Sequence, residues 1–193
     1  PAYHDLMAKD TGYSPASQII FLEFTARYYR NQNKTKVDKV NLIDIISMTP
    51  FDRIFRKRSW KFSIGVDSIK DLDCGFCNSF KTNYGFGFSF QPSPLSGILF
   101  YSLLEAELEL ADRLQKNYRL GGGGVAGALI KMTENWKVEL RAQYLDFPVG
   151  FDSDYYKLEL NQRYALSQNF DVRFKMSNLS NKKEWSGALN YYF

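Results

Sequence analysis

The chain contains a single histidine, His4, followed directly by Asp5. An imidazole beside a carboxylate is the starting point for general-base and acyl-transfer chemistry: the carboxylate fixes the tautomer and a hydroxyl supplies the nucleophile. His4 is the one candidate catalytic residue of that type, set against the commoner case of a histidine that only hydrogen-bonds locally. Glu105, Glu107 and Glu109 form a second group. On an extended strand alternate residues share a face about 7 Å apart, which is compatible with the carboxylate pair of a glycosidase. Such a row of like charges is more often neutralised from neighbouring strands. Arg141, Lys157, Arg163 and Arg173 are the cations expected to do so, forming a charge network that fills the interior.

The remaining chemical motifs are weaker. Cys74-Gly75-Phe76-Cys77 has the spacing of half a zinc or redox site, but there is no second pair and His4 is remote in sequence. Asp71, Asp73, Gly75 and Asn78 mark a loop, so the expectation is a small disulfide in an oxidising compartment. Gly121 to Gly124 lacks the Lys-Ser/Thr of a phosphate-binding loop, and close approach of a bulky neighbour or a bend explains it better. Basic residues are dispersed except for Arg53, Arg56, Lys57 and Arg58. That distribution argues against nucleic acid and points the cluster toward anionic lipid headgroups or an acidic protein partner. No metal and no cofactor is expected.

The elements that must position these residues are strands. The 193 residues carry 25 Lys plus Arg against 21 Asp plus Glu, a net charge of +4. They are 45% hydrophobic and 17% aromatic. Length suits one domain, and the hydrophobic share excludes a disordered chain. The uncharged run from Thr82 to Leu104 is interrupted by Gln91, Pro92 and Pro94, so it is expected to form two strands around a turn, not a spanning helix. Period-two alternation recurs throughout. Leu104, Ala106, Leu108 and Leu110 oppose the three glutamates. Val138, Leu140, Ala142 and Tyr144 oppose Lys137, Glu139, Arg141 and Gln143. Phe170, Val172, Phe174 and Met176 oppose Asp171, Arg173 and Lys175. Ile20, Leu22, Phe24, Ala26 and Tyr28 oppose Glu23, Thr25 and Arg27. The count is about ten strands in an antiparallel meander.

Alternation does not say which face meets core and which meets lipid. A soluble lipocalin-like barrel points its apolar face inward; an outer-membrane barrel points it into lipid. Several features favour the second. The segments run about 9 to 13 residues, longer than ordinary strands and close to a tilted membrane span. Charges of both signs share one strand face, as in Lys137-Glu139-Arg141. The connections at Pro92 to Ser96, Met132 to Asn135 and Ser167 to Asn169 are expected to be short. Those at Lys70 to Phe80, Ala111 to Tyr118, Asp146 to Asp154 and Leu179 to Glu184 are expected to be long and polar, with Met48 to Arg58 as an exception on the short side. Short periplasmic turns and longer outer loops typify these barrels. Tyr and Trp residues fall mostly near strand ends, as in interfacial girdles.

Two resemblances add to this. Phe193 with Tyr191, Leu189 and Trp185 behind it resembles the C-terminal signal by which bacterial assembly machinery recognises outer-membrane barrels. The run Pro1-Ala2-Tyr3-His4-Asp5-Leu6-Met7, with Asp10-Thr11-Gly12-Tyr13, Leu42-Ile43-Asp44-Ile45-Ile46-Ser47, Pro50, Asp52-Arg53 and Ser59-Trp60, resembles the C-terminal region of a bacterial family with an Lnb-type N-terminal periplasmic domain. That resemblance, best over residues 1 to 66, implies a membrane part of a longer polypeptide and carries over no catalytic residue. The opening Pro1-Ala2-Tyr3-His4 has no apolar leader, so an export signal is expected outside the chain. The expectation is an all-β, antiparallel up-and-down transmembrane β-barrel of the bacterial outer membrane. It has about ten strands here, or twelve with upstream sequence. Residues 1–14 would be a periplasmic lead-in and residues 15–193 the barrel. Its partners would be outer-membrane lipid, the assembly machinery and a periplasmic domain or protein. A lipid- or envelope-modifying hydrolase and a soluble ligand-binding barrel are the alternatives.

Overall fold

The alternating segments become one continuous sheet in the computed structural model, which describes residues 3–8, 16–29, 34–51, 57–68, 78–93, 97–112, 114, 116–150, 153–180 and 182–191. A two-residue piece, β1 (Tyr3–His4), precedes ten long strands. These are β2 (Ser17–Tyr29), β3 (Lys34–Ser47), β4 (Ser59–Ser68), β5 (Asn78–Phe90), β6 (Ile98–Leu110), β7 (Tyr118–Lys131), β8 (Trp136–Val149), β9 (Ser153–Ala165), β10 (Phe170–Leu179) and β11 (Lys182–Tyr191). Each pairs antiparallel with its neighbour in sequence, so the sheet order is the chain order from β1 to β11. Among the described residues no helix is long and apolar enough to cross a membrane.

The sheet curls on itself, as an ion pair between its two margins requires. Arg173 of β10 reaches the Asp5 carboxylate just after β1, although the two stand at opposite ends of the strand order. The concave side is charged and the convex side apolar. On β6, Glu105, Glu107 and Glu109 are buried, whereas Leu104 between them and the turn before is 77% exposed. Phe86, Phe88 and Phe90 of β5, Leu140 and Tyr144 of β8, and Leu158 and Tyr164 of β9 likewise face outward.

Apolar packing closes each end of the curl. At the end where β3 finishes and β6 begins, His4 to Met7 turn inward, and Leu6 and Met7 pack with Ile46, Met48, Leu99, Leu103, Val125 and Leu129. An Asp5 Oδ1 to Met7 N–H bond of 2.9 Å holds this strap in a turn, and Lys137 Nζ donates to the Ala8 carbonyl at 2.5 Å. At the other end Leu145, Phe147, Tyr155 and Leu179 form a smaller cluster.

Three features differ from the sequence expectation. Ile20 is buried and does not share a face with Leu22 and Phe24. Leu22 has φ of 56° and is left unpaired between the Phe21–Ile43 and Glu23–Asn41 pairs, so this left-handed residue reverses the face while the register is kept; the register against β3 shifts farther on, between Thr25 and Ala26. The connections at Asp146 to Asp154 and Leu179 to Glu184 are not long: only 150–152 and 180–181 separate the strands. Asp146 and Asp154 are themselves partners in the ladder, as are Ser177 and Glu184, so polar composition there belongs to strand ends. Connection length therefore does not separate the two ends of the sheet. The aromatics are sorted in part. Trp136 pairs with Tyr164 near one end of the β8–β9 hairpin and Tyr144 with Tyr156 toward the other, with Leu140 and Leu158 between, but Tyr84 and Trp185 lie mid-strand.

Glycines make room on the concave side. Gly85 is the ladder partner of both Lys61 and Glu105, and its missing side chain lets Lys61 cross to Glu105. Gly123 lies against the Tyr144 carbonyl and Leu145 Cα, the latter 2.9 Å from where a Cβ would stand. Backbone cannot step aside as a flexible side chain can. Gly123→Ala should therefore cost about 1–3 kcal/mol in denaturant unfolding followed by tryptophan fluorescence. Gly122→Ala, whose Cβ would meet only the Glu105 carbonyl at 3.4 Å on the open convex face, should be neutral or mildly stabilising.

Candidate functional site: a charge-paired lumen

The curled sheet encloses a cavity of about 530 Å³ lined from β2, β3 and β4 round to β10 and β11. Register decides which charges meet. Lys81, Glu109 and Arg119 occupy one rung across β5, β6 and β7. Arg119 Nε donates to Glu109 Oε2 at 2.7 Å, Lys81 pairs with the other oxygen, and neither Arg119 nor Glu109 has exposed side-chain surface. Arg119 also donates to Ser153 Oγ at 2.9 Å and stacks 4.2 Å from the Phe147 ring centroid. Glu107 accepts from Asn83 Nδ2 at 2.9 Å and lies 3.9 Å from Lys81. Glu105 takes Lys61 and Gln143, with Arg141 at 3.9 Å.

A second cluster lies on the β8–β10 wall. Glu159 receives Lys175 at 2.7 Å and Lys157 at 3.0 Å, with Arg141 at 4.0 Å. Glu139 accepts from Tyr101 Oη at 2.9 Å and from Asn161 Nδ2 at 2.7 Å. A third cluster lies nearer the strap: Asp171 accepts from Arg163 Nε at 2.5 Å, Asn190 Nδ2 at 2.8 Å and Arg173 Nε at 3.2 Å.

The glutamate row is thus paired, but mostly by other cations than those expected. Only Arg141 of the anticipated set reaches it. Lys157 serves Glu159, Arg163 serves Asp171, and Arg173 serves Asp171 and Asp5. Lys61, Lys81 and Arg119 are the partners that sequence reasoning missed. Ladder register would have found them, since Lys81 and Arg119 flank Glu109 and a glycine alone separates Lys61 from Glu105. With a cation on every member of the row, its chemistry is electrostatic cross-linking of adjacent strands.

The other candidate residues are scattered. His4 is 4% exposed within the strap. Asp5 is engaged by the Met7 amide and Arg173. Among the described residues no group of three or more His, Cys, Asp or Glu is placed to hold a metal ion. Trp185, Leu189 and Tyr191 are exposed on β11. Lys57 and Arg58 stand at the rim, where the Arg58 guanidinium lies 5.2 Å from the Phe86 ring centroid. Arg53, Arg56, Cys74, Cys77 and Phe193 lie outside the described residues.

Fold and site together define an all-β, up-and-down antiparallel sheet curled around a charge-paired interior. The chain belongs to the family described as a domain of unknown function, DUF7840, whose model matches residues 1–193. No curated protein and no solved structure matches it.

Removing one member of a fully buried ion pair strands the other charge. Glu109→Gln should lower unfolding stability by about 3–5 kcal/mol. Adding Arg119→Met should recover part of that loss, so a double-mutant cycle should return a coupling of at least about 1 kcal/mol. Purely additive effects would show that the two side chains act independently.

Proposed function

We propose that this chain is a bacterial outer-membrane β-barrel that anchors or positions a periplasmic domain or partner and is not itself a catalyst. One observation carries the reading: the sheet buries its charges and exposes its leucines and aromatics. In water that arrangement would leave a large contiguous apolar surface of the kind soluble monomers avoid. In lipid it is the low-energy one, because hydrocarbon takes the convex face while charges pair inside. A soluble lipocalin-like barrel would need the opposite sidedness.

Further support comes from the paired Trp136–Tyr164 and Tyr144–Tyr156 rungs with leucines between them, which suit two interfaces and a hydrocarbon layer. The resemblance of Trp185, Leu189, Tyr191 and Phe193 to the barrel assembly signal points the same way. So does the resemblance of the first 66 residues to the membrane region of proteins with an Lnb-type periplasmic domain. The strap lies at the same end as the 132–135 and 166–169 turns and the end of β11, so a domain joined ahead of it would stand on that side. Burial of His4 and engagement of Asp5 support a structural role for the pair over a hydrolase site.

The expected behaviour is retention in the membrane pellet after alkaline wash, release by detergent, and faster gel migration before boiling than after. Leu140→Arg on the convex face should destabilise the barrel by about 2–4 kcal/mol and deplete the heat-modifiable form. Release into the alkaline supernatant would sink the membrane reading. Loss of lipid or glycan turnover by the full-length protein on His4→Ala would sink the non-catalytic one.

A further inference from the structure

Among the described residues the strand order ends at β1 on one side and β11 on the other, and no ladder joins them. β1 covers the β2 edge at Ile19 and Ile20 among the described residues. The chain then turns inward as the strap, whose Asp5 is tied to Arg173. The strap thus occupies one end of the seam, and above it the cavity is flanked by β2 and β3 on one margin and by β10 and β11 on the other.

Exposure marks the opening. Ser186 and Ala188 line the cavity from β11 yet are exposed, while lining residues elsewhere, such as Glu139, are buried. Lys175, also a lining residue, keeps 47% of its side-chain surface, and the Lys39–Glu23 pair on the facing margin keeps 37% and 31% at 3.6 Å. Outside these charges each margin is apolar, with Phe21, Leu22 and Phe24 on β2 and Trp185 and Leu189 on β11.

An opening with charges of both signs within and apolar walls without matches an amphiphile with a zwitterionic head. We propose that the seam between β2 and β11 is a lateral port in which a glycerophospholipid bearing phosphate and a primary amine lodges its headgroup. Its phosphate is met by Lys39 and Lys175 and its amine by Glu23, and its acyl chains lie along the convex faces of β2 and β11. Charge-assisted hydrogen bonds at both poles select this head over an anionic one. The lumen as a whole offers no net cationic field. The port's own lysines are also shared, Lys39 with Glu23 at 3.6 Å and Lys175 with Glu159 at 2.7 Å, so they meet a phosphate with spare ammonium protons and not as unneutralised cations. This inference rests on the membrane reading, because only a barrel in lipid presents the port to such a ligand.

The test is native mass spectrometry of the full chain in mild detergent with added phosphatidylethanolamine or phosphatidylglycerol. The expected result is one retained phosphatidylethanolamine per chain, held roughly tenfold more tightly than phosphatidylglycerol, and a roughly tenfold loss in Lys39→Gln/Lys175→Gln. Heat-modifiable migration should be unchanged in that variant, which separates loss of the site from loss of the fold. Equal retention of the two lipids, preference for phosphatidylglycerol, no retained lipid, or an unaffected double variant would each overturn the port. Failure of the membrane reading would show instead as release of the wild-type chain by alkaline wash.

Discussion

Every long strand of this sheet turns polar side chains toward its concave side, and those side chains have to neutralise one another there. An isolated buried charge costs several kcal/mol, and only a partner at hydrogen-bonding distance offsets it. The Lys81–Glu109–Arg119 rung, the Lys61–Glu105 crossing and the Asp171 cluster each meet that demand by joining at least two strands. The same charges therefore specify register. A one-residue slip between β6 and β7 would take Glu109 off Arg119 and turn the leucines of β6 inward.

That demand also explains features without charge. A side chain as long as lysine needs space beside it, which Gly85 supplies to Lys61 on one flank of the glutamate row, while Gly123 on the other flank lets the β8 backbone come close. The glycine-rich run of β7 admits Phe147 of β8 beside Gly121 and the Leu145 backbone beside Gly123. Phe147 in turn carries the Arg119 guanidinium on its face, so an aromatic ring stands in for part of the hydration that the cation has lost.

Much of the architecture was legible in the alternation. The number of long strands, their order and the opposition of Leu104 and Leu110 to Glu105 and Glu109 all follow from period two. The steric purpose of Gly121 and Gly123 was also readable, because no phosphate-loop residues accompany them. Cross-strand register was not: Lys61 and Glu105 become partners only once Gly85 is placed between them. The change of face at Leu22 was hidden because Ile20, Phe21 and Leu22 are all apolar and either phase fits them. The Asp146 to Asp154 region looks like a loop by composition, yet its carboxylates are ladder partners at the turn end of a hairpin. The strap escaped because burial of His4 to Met7 depends on strands far along the chain and leaves no period to detect.

Nearly all pairing in this sheet is between neighbours in the chain, so hairpins can be added one after another at small loop-closure cost. A long-range exception is the Asp5–Arg173 contact, spanning 168 residues, beside the 129 between Lys137 and Ala8. It can form only when the first residues and the next-to-last strand have both reached their places. A chain stalled with β10 absent would leave Asp5 without Arg173, even though Leu6 and Met7 could already pack on β3, β6 and β7. The pair thus couples the last stage of sheet assembly to the first residues of the polypeptide, adding one late ion pair to a strap already seated.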